Sequence, residues 1–255
     1  MNVIVCMKQT FDTEAKIALA DGKISEEGVQ WVINPYDEYA IEEALKIKEA
    51  TDGNVTIVTI GPARVEEAVR TALAMGADDA VIVDDPAAFG DEFTVAEVLA
   101  AVIKTHPFDL ILTGNQAVDD GSAQVAVRLA ERLDLPHVST ITKLTIEGAT
   151  AVAERDAEGD TEVVEVKLPA LFTAQQGLNE PRYPSLLGIR KASKKPVKRL
   201  TLEEVGLSRD EITKRVTVTE VFMPAQKGAG RILTGDTSER VRELVRELRQ
   251  TSKVI

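Results

Sequence analysis

Four short apolar runs punctuate the first half of the chain: Val3-Ile4-Val5, Val55-Thr56-Ile57-Val58-Thr59-Ile60, Ala80-Val81-Ile82-Val83 and Leu110-Ile111-Leu112-Thr113. Runs this short and this apolar suit strands buried on both faces. Between them the period is helical. Val65, Ala68, Val69, Ala72 and Leu73 recur at i, i+3, i+4, i+7 and i+8, and Val95, Val98, Leu99, Val102 and Ile103 repeat that spacing. Thr94 and Glu97 have capping-box spacing at the start of the second of these helices. An earlier helix, over about 37–50, groups Ile41, Ala44 and Leu45 and leaves Glu42, Glu43, Lys46 and Glu49 outside.

Strands alternating with helices of this length pair in parallel through right-handed crossovers, so the pattern predicts an open, doubly wound, mostly parallel α/β sheet. After about Pro136 the rhythm changes. Thr140–Ile146 and Ala149–Arg155, joined through Glu147-Gly148, read as a hairpin, with a third antiparallel strand over Glu162–Lys167 and an apolar strand over 169–173. The segment from Gln176 to Leu186, with Gly177, Pro181 and Pro184, is held out of helix and sheet. It divides a body, 1–185, from a C-terminal arm, 186–255. The arm shows a strand pattern over Arg215–Thr219 and a last helix with Val241, Leu244, Val245 and Leu248 on one face, opened by Asp236 and Glu239. That stripe is buried either on its own chain or on a partner subunit.

Composition narrows the choice of partner. The chain has 255 residues, 44% hydrophobic, and a formal net charge of −12, which disfavours nucleic acid and anionic membrane surfaces as partners. Arg190, Lys191, Lys194, Lys195, Lys198 and Arg199 gather the basic charge locally, as a solvated run or as the complement of an acidic protein patch. One cysteine, an N-terminus without leader features and the absence of a bilayer-length apolar stretch lead to the expectation of a soluble cytoplasmic protein.

Two segments could carry chemistry. Gly114-Asn115-Gln116-Ala117-Val118-Asp119-Asp120-Gly121-Ser122 follows a strand and precedes a helix expected to start at Ala123, Gln124 and Val125, where free N–H groups and the helix dipole suit an anion. No lysine stands in this loop, and Asp119 and Asp120 count against a polyphosphate while leaving room for a monophosphate. The alternative is that the Asp and Ser side chains simply cap the helix. In Asn34-Pro35-Tyr36-Asp37-Glu38, Asn34 precedes a proline and is biased to an extended conformation that frees its amide for a ligand, and Tyr36 offers an aromatic face. The same stretch also serves as a helix start. Catalytic constellations are missing: His106 and His137 have no partner at metal-ligand spacing, Cys6 has no histidine to activate it, and no Walker A sequence or serine elbow occurs.

Read together and in order, Asn34 to Glu38, Arg70-Thr71-Ala72-Leu73-Ala74-Met75-Gly76-Ala77-Asp78, the loop from Gly114 to Gln124, and Leu178-Asn179-Glu180-Pro181-Arg182-Tyr183 resemble the β subunits of the electron transfer flavoprotein family. The stretch from Ala153 to Thr173 is similar to that family's signature, except that Phe172 replaces an aliphatic residue. The resemblance implies an adenine-nucleotide α-hydrolase-like fold and an αβ heterodimer with one FAD held mainly by the α subunit. It also implies a structural AMP contacted by Cys6, Asn34, Pro35, Tyr36, Asp37, Ile60 and the Gly114–Val125 stretch, its phosphate at Ala123, Gln124 and Val125. Val125 stands where some members have threonine, and Cys6 where alanine is common. Tyr36 would approach the flavin, and Leu186, flanked by Tyr183, Leu187 and Ile189, would anchor the loop that docks acyl-CoA dehydrogenases. Electrons would pass on to a membrane-bound quinone oxidoreductase. Two other readings remain: a bifurcating member with a second FAD in place of AMP, and a stand-alone adenine-nucleotide module.

Overall fold

A computed structural model describes residues 1–225 and 228–255. In chain order its elements are β1 (Asn2–Cys6), β2 (Gln9–Phe11), β3 (Leu19–Ala20), β4 (Lys23–Ile24), β5 (Trp31–Ile33), α1 (Pro35–Thr51), β6 (Asn54–Ile60), α2 (Val65–Met75), β7 (Asp79–Val83), α3 (Glu92–Ile103), β8 (Leu110–Gly114) and α4 (Val125–Leu133). They continue with β9 (His137–Glu147), β10 (Thr150–Ala157), β11 (Asp160–Lys167), β12 (Ala170–Ala174), α5 (Leu186–Ala192), β13 (Val197–Leu200) and α6 (Thr237–Gln250).

Nine strands form one open sheet in the order β11-β10-β9-β12-β8-β1-β6-β7-β13. From β9 to β13 every neighbouring pair is parallel, and only the β9-β10-β11 meander at one edge is antiparallel. This is the doubly wound, mostly parallel architecture with an antiparallel addition that the alternating pattern predicts. Successive residues of β1 face opposite layers: Val3 and Val5 join Ile41, Leu45, Val69 and Leu73 of α1 and α2, while Ile4 and Cys6 join Val98, Val102 and Leu129 of α3 and α4. Both faces are covered, which is why these strands carry no polar alternation.

Four expectations are corrected. Glu42 and Glu43 are buried, 6% and 5% exposed, because the 179–182 segment folds over α1: Asn179 Nδ2 donates to Glu43 Oε2 at 2.9 Å and Arg182 Nε to Glu42 Oε2 at 2.8 Å. Helix α3 starts at Glu92, so Asp91 caps it by accepting from Thr94 N at 3.0 Å, and Thr94 lies inside the helix. Leu186 is no longer loop, since Ser185 accepts from Gly188 N and α5 begins there. Residues 215–219 form no strand; among the described residues no strand edge pairs with them, and the valine alternation has nothing to face. The packed body also runs past Ser185. β13 adds the last parallel strand beside β7, and Leu200, Leu202, Val205 and Ile212 enter the α3/α4 core.

Candidate functional site

Chain order reverses at β1: the strands run outward through β6 and β7, then return to β8 on the other side. Open α/β sheets take ligands beyond the carboxyl ends of their strands at such a point. A cavity of about 690 Å³ lies there, within the range of small-molecule sites. Its wall includes Cys6, Asn34, Asp37, Ile60, Gly114, Asn115, Gln116, Ala117, Asp119, Asp120, Ser122, Ala123, Gln124 and Val125, so residues far apart in sequence meet at one place. Pro35, Tyr36, Val118 and Gly121 are not on this wall; Tyr36 is half-buried behind Gly114.

The polar floor is set by Asp37. Its Oδ1 accepts from Gly114 N at 2.9 Å and its Oδ2 from Lys8 N at 2.7 Å, tying the ends of β8 and β1 to the first turn of α1. Burial pushes its carboxyl up to about 7 against these hydrogen bonds. Gly114 has to be glycine because a Cβ would lie 2.3 Å from Asp37 Oδ1 and 2.7 Å from Tyr36 Cβ. Asn34 is extended as its proline neighbour requires (φ −52°, ψ 124°), yet its amide is not free for a ligand. Nδ2 donates to Gln116 O at 2.9 Å and Oδ1 accepts from Val118 N at 3.1 Å, so Asn34 shapes the 116–118 loop instead.

Helix α4 starts two residues later than expected, at Val125, after Ala123 adopts the left-handed region (φ 53°). Neither Asp nor Ser caps it: Asp120 accepts from Ser122 N at 2.8 Å, and Gln124, in the cap position, makes no side-chain cap bond. The N–H groups of Ala123, Gln124, Val125 and Ala126 therefore have no partner among the described residues, and all four residues line the cavity. Uncapped donors at a helix start are an anion site.

Several wall residues carried no readable signal in sequence. Lys8 Nζ bridges Asp119 Oδ1 at 2.7 Å and Asp120 Oδ2 at 2.8 Å. Burial lowers the Lys8 pKa, but the two carboxylates more than reverse this and leave it raised, so the aspartates are partly neutralised by a lysine from the end of β1. Their weight against phosphate falls accordingly. Residues 9–33 pair β2 with β5 and bring Phe11, Trp31 and Glu26 over the cavity, where Arg64 stacks on the Trp31 ring at 3.6 Å. Only an aromatic-basic pairing across 33 positions, which periodicity does not report, could have suggested it. Cys6 is 7% exposed on the wall, and burial with Asp37 nearby pushes its thiol up, away from the reactive thiolate.

Off the cavity wall, Tyr183, Leu186, Leu187 and Ile189 are 95%, 84%, 58% and 54% exposed, an apolar edge at the start of α5. No helix among the described residues is long and apolar enough to cross a membrane.

An open, mostly parallel sheet with a crevice at its switch point and an uncapped helix at the crevice is the architecture of α/β proteins that take small ligands beyond their strand ends. Residues 21–205 match the electron transfer flavoprotein domain. Over 257 aligned residues, covering 100% of both chains, the sequence is 52% identical to electron transfer flavoprotein subunit beta of Bacillus subtilis (strain 168). It is 35% identical to the subunit of the same name from Bos taurus, covering 100% of this chain and 99% of that one. Identity is 40% to the caffeyl-CoA reductase-Etf complex subunit CarD of Acetobacterium woodii, covering 94% and 95%. The chain belongs to the electron transfer flavoprotein family, among its β subunits, and that membership supports a role in electron transfer.

Proposed function

We propose that this chain pairs with an α subunit as one half of a heterodimeric carrier. The carrier accepts electrons from acyl-CoA and related flavin dehydrogenases of fatty-acid oxidation and delivers them to a quinone oxidoreductase. The redox chemistry is supplied by an FAD shared with the α subunit; this chain contributes no catalytic constellation of its own. Its cavity holds AMP in a structural role. The observation that carries this reading is the row of unpaired amides from Ala123 to Ala126, which suits one phosphate, in a cavity that is otherwise largely apolar. Asp37 and Asn34 hold the frame around it, and the adenosine lies toward Ile60. Tyr36 stands outside the cavity, behind Gly114; its role in this reading is to approach the flavin. The apolar edge at Leu186 docks the dehydrogenase, the stripe of α6 packs on the α subunit, and the assembly works in the cytoplasm.

The test is extraction of nucleotides from the purified heterodimer. One FAD and one AMP per dimer are expected, and a dimer with full FAD but no adenylate sinks the AMP assignment. Leu186→Ala should slow reduction by the dehydrogenase without changing flavin content; unchanged rates would remove the docking role.

A second reading has its own support. Phe11, Trp31 and Arg64 also line the cavity, an aromatic and basic wall suited to a larger dinucleotide, and a relative carries the name of a caffeyl-CoA reductase complex. A second FAD in place of AMP, as in a bifurcating carrier, would appear as two FAD per dimer in the same extraction. A stand-alone nucleotide module is disfavoured by the uncovered stripe of α6.

A further inference from the structure

Helix α5 packs its small residues against α2 and exposes its large ones. Gly188 lies so close to α2 that a Cβ would come 2.3 Å from Ala74 O, and Ala192 is 2% exposed, whereas Leu186, Leu187 and Ile189 face solvent. A seven-residue helix does not persist in water by itself, and this one has almost no apolar face against the core to hold it. Its ends are held instead. Before the helix, Arg182 donates from Nε and Nη2 to Glu42 at 2.8 and 2.9 Å and also bonds Glu49, while its backbone N–H donates to Glu42 Oε2 at 3.1 Å. At its end, Arg70 Nη1 donates to both Ala192 O and Lys195 O at 2.9 Å. The same guanidinium grips Glu66 Oε1 through Nε and Nη2 at 3.2 and 3.0 Å, and Glu66 is held in turn by Arg199 at 2.6 Å. Arg70 thus adds a second donor to Ala192 O, which already accepts from Lys195 N at 3.1 Å, and fastens the turn that follows the helix through Lys195 O. Each arginine belongs to a network rooted on a helix of the packed body.

We propose that Arg70 and Arg182 are positioning residues that hold α5 as a preformed docking edge for an electron-donating flavin dehydrogenase whose apolar pocket has an acidic rim. The proposal rests on the docking reading above. The acidic rim follows from charge: Arg190, Lys191, Lys194 and Lys198 closely follow the exposed apolar residues in sequence and are themselves exposed, on a chain whose net charge is −12. Holding the edge in place before encounter removes an ordering cost from binding, and so acts on KM and not on the transfer step.

The assembled flavin-loaded heterodimer is compared as wild type, Arg70→Gln, Arg182→Gln, Arg70→Lys and Leu186→Ala, with its reduction by a substrate-reduced acyl-CoA dehydrogenase followed at varied heterodimer concentration. Both glutamine variants should raise KM about tenfold at unchanged kcat and flavin content, with faster amide exchange over residues 189–192. Arg70→Lys, which keeps the charge without the fork, should recover only part of the loss. Leu186→Ala should raise KM without faster exchange. If Leu186→Ala raises KM and the glutamine variants do not, the clamp is overturned and the docking reading stands. If Leu186→Ala leaves KM unchanged, the docking reading fails and takes the clamp with it. A KM change in both glutamine variants that comes with lost flavin or a lower Tm also overturns the positioning role, in favour of general stability.

Discussion

Helices α3 and α6 begin with equally good local signals and end in opposite situations. Asp91 caps α3 through Thr94 N, and Val98, Leu99, Val102 and Ile103 are at most 4% exposed between the sheet and α4. Helix α6 opens with a complete capping box between Asp236 and Glu239, yet Val241 and Leu244 are 54% and 47% exposed, and no residue of the helix is buried. Capping and periodicity specify a helix and its apolar side; they do not specify what covers that side. In α3 the chain supplies the cover. In α6 no described residue buries the stripe, and its cover in the proposed heterodimer is the α subunit.

The contrast can be broken at several points. Phe172→Ala, in the fully buried centre of β12, should cost about 3–5 kcal/mol in urea unfolding of the isolated chain. A cost under about 1 kcal/mol would mean the body is not packed as described. Gly114→Ala should cost about 1–3 kcal/mol, because the new methyl displaces Asp37 or Tyr36, and adenylate should be lost from the purified heterodimer. Retained adenylate at wild-type stability would sink the close-approach argument.

Acid should separate arm from body before the body unfolds. Asp91 is partly desolvated, which raises its pKa, but hydrogen bonds from Thr94, Arg215 N and Val216 N outweigh this and hold it down to about 2. A depressed carboxylate stabilises the fold above its unfolded pKa of 3.8 and loses that contribution as pH falls toward 2. Asp37 behaves oppositely. With its pKa raised to about 7, its contribution is fully present below 3.8 and is lost as pH rises through 7. Amide exchange at Arg215 and Val216 should therefore quicken between pH 4 and pH 2 ahead of the sheet amides, and simultaneous loss would count against Asp91 as the join. The smallest effect is expected at Leu244→Ala, within about 0.5 kcal/mol in the isolated chain but weakening assembly with the α subunit. A large loss in the isolated chain would show that α6 is covered by its own chain after all.

Much of the body was legible because buried parallel strands and amphipathic helices write their period directly into residue order. Val3 to Val5, Val65 to Leu73 and the Glu147-Gly148 hairpin appear where the pattern puts them. Half of the site was legible too, since a Gly-Asn-Gln loop between a strand and a helix is a local feature. Lys8 was not. Its meeting with Asp119 and Asp120, 111 and 112 residues away, depends on β1 and β8 becoming neighbours. Glu42 and Glu43 misled for the same reason: glutamates on the outer side of a helix read as solvated until a distant arginine and asparagine fold over them. The Arg215–Thr219 valines misled in reverse, since alternation predicts a strand only where an edge exists to receive it.

Residue order alone determined the element types, the capping box of α6, the apolar side of each helix and the family to which the chain belongs, because these depend on neighbours within a turn or a strand. Only the tertiary structure decided that β1 sits at the switch point, that the amides from Ala123 to Ala126 stay unpaired over a cavity, and that α5 turns its leucines outward. Those outcomes depend on which surfaces meet, and a contact between distant segments is an energy of the folded chain with no counterpart in any short stretch of it.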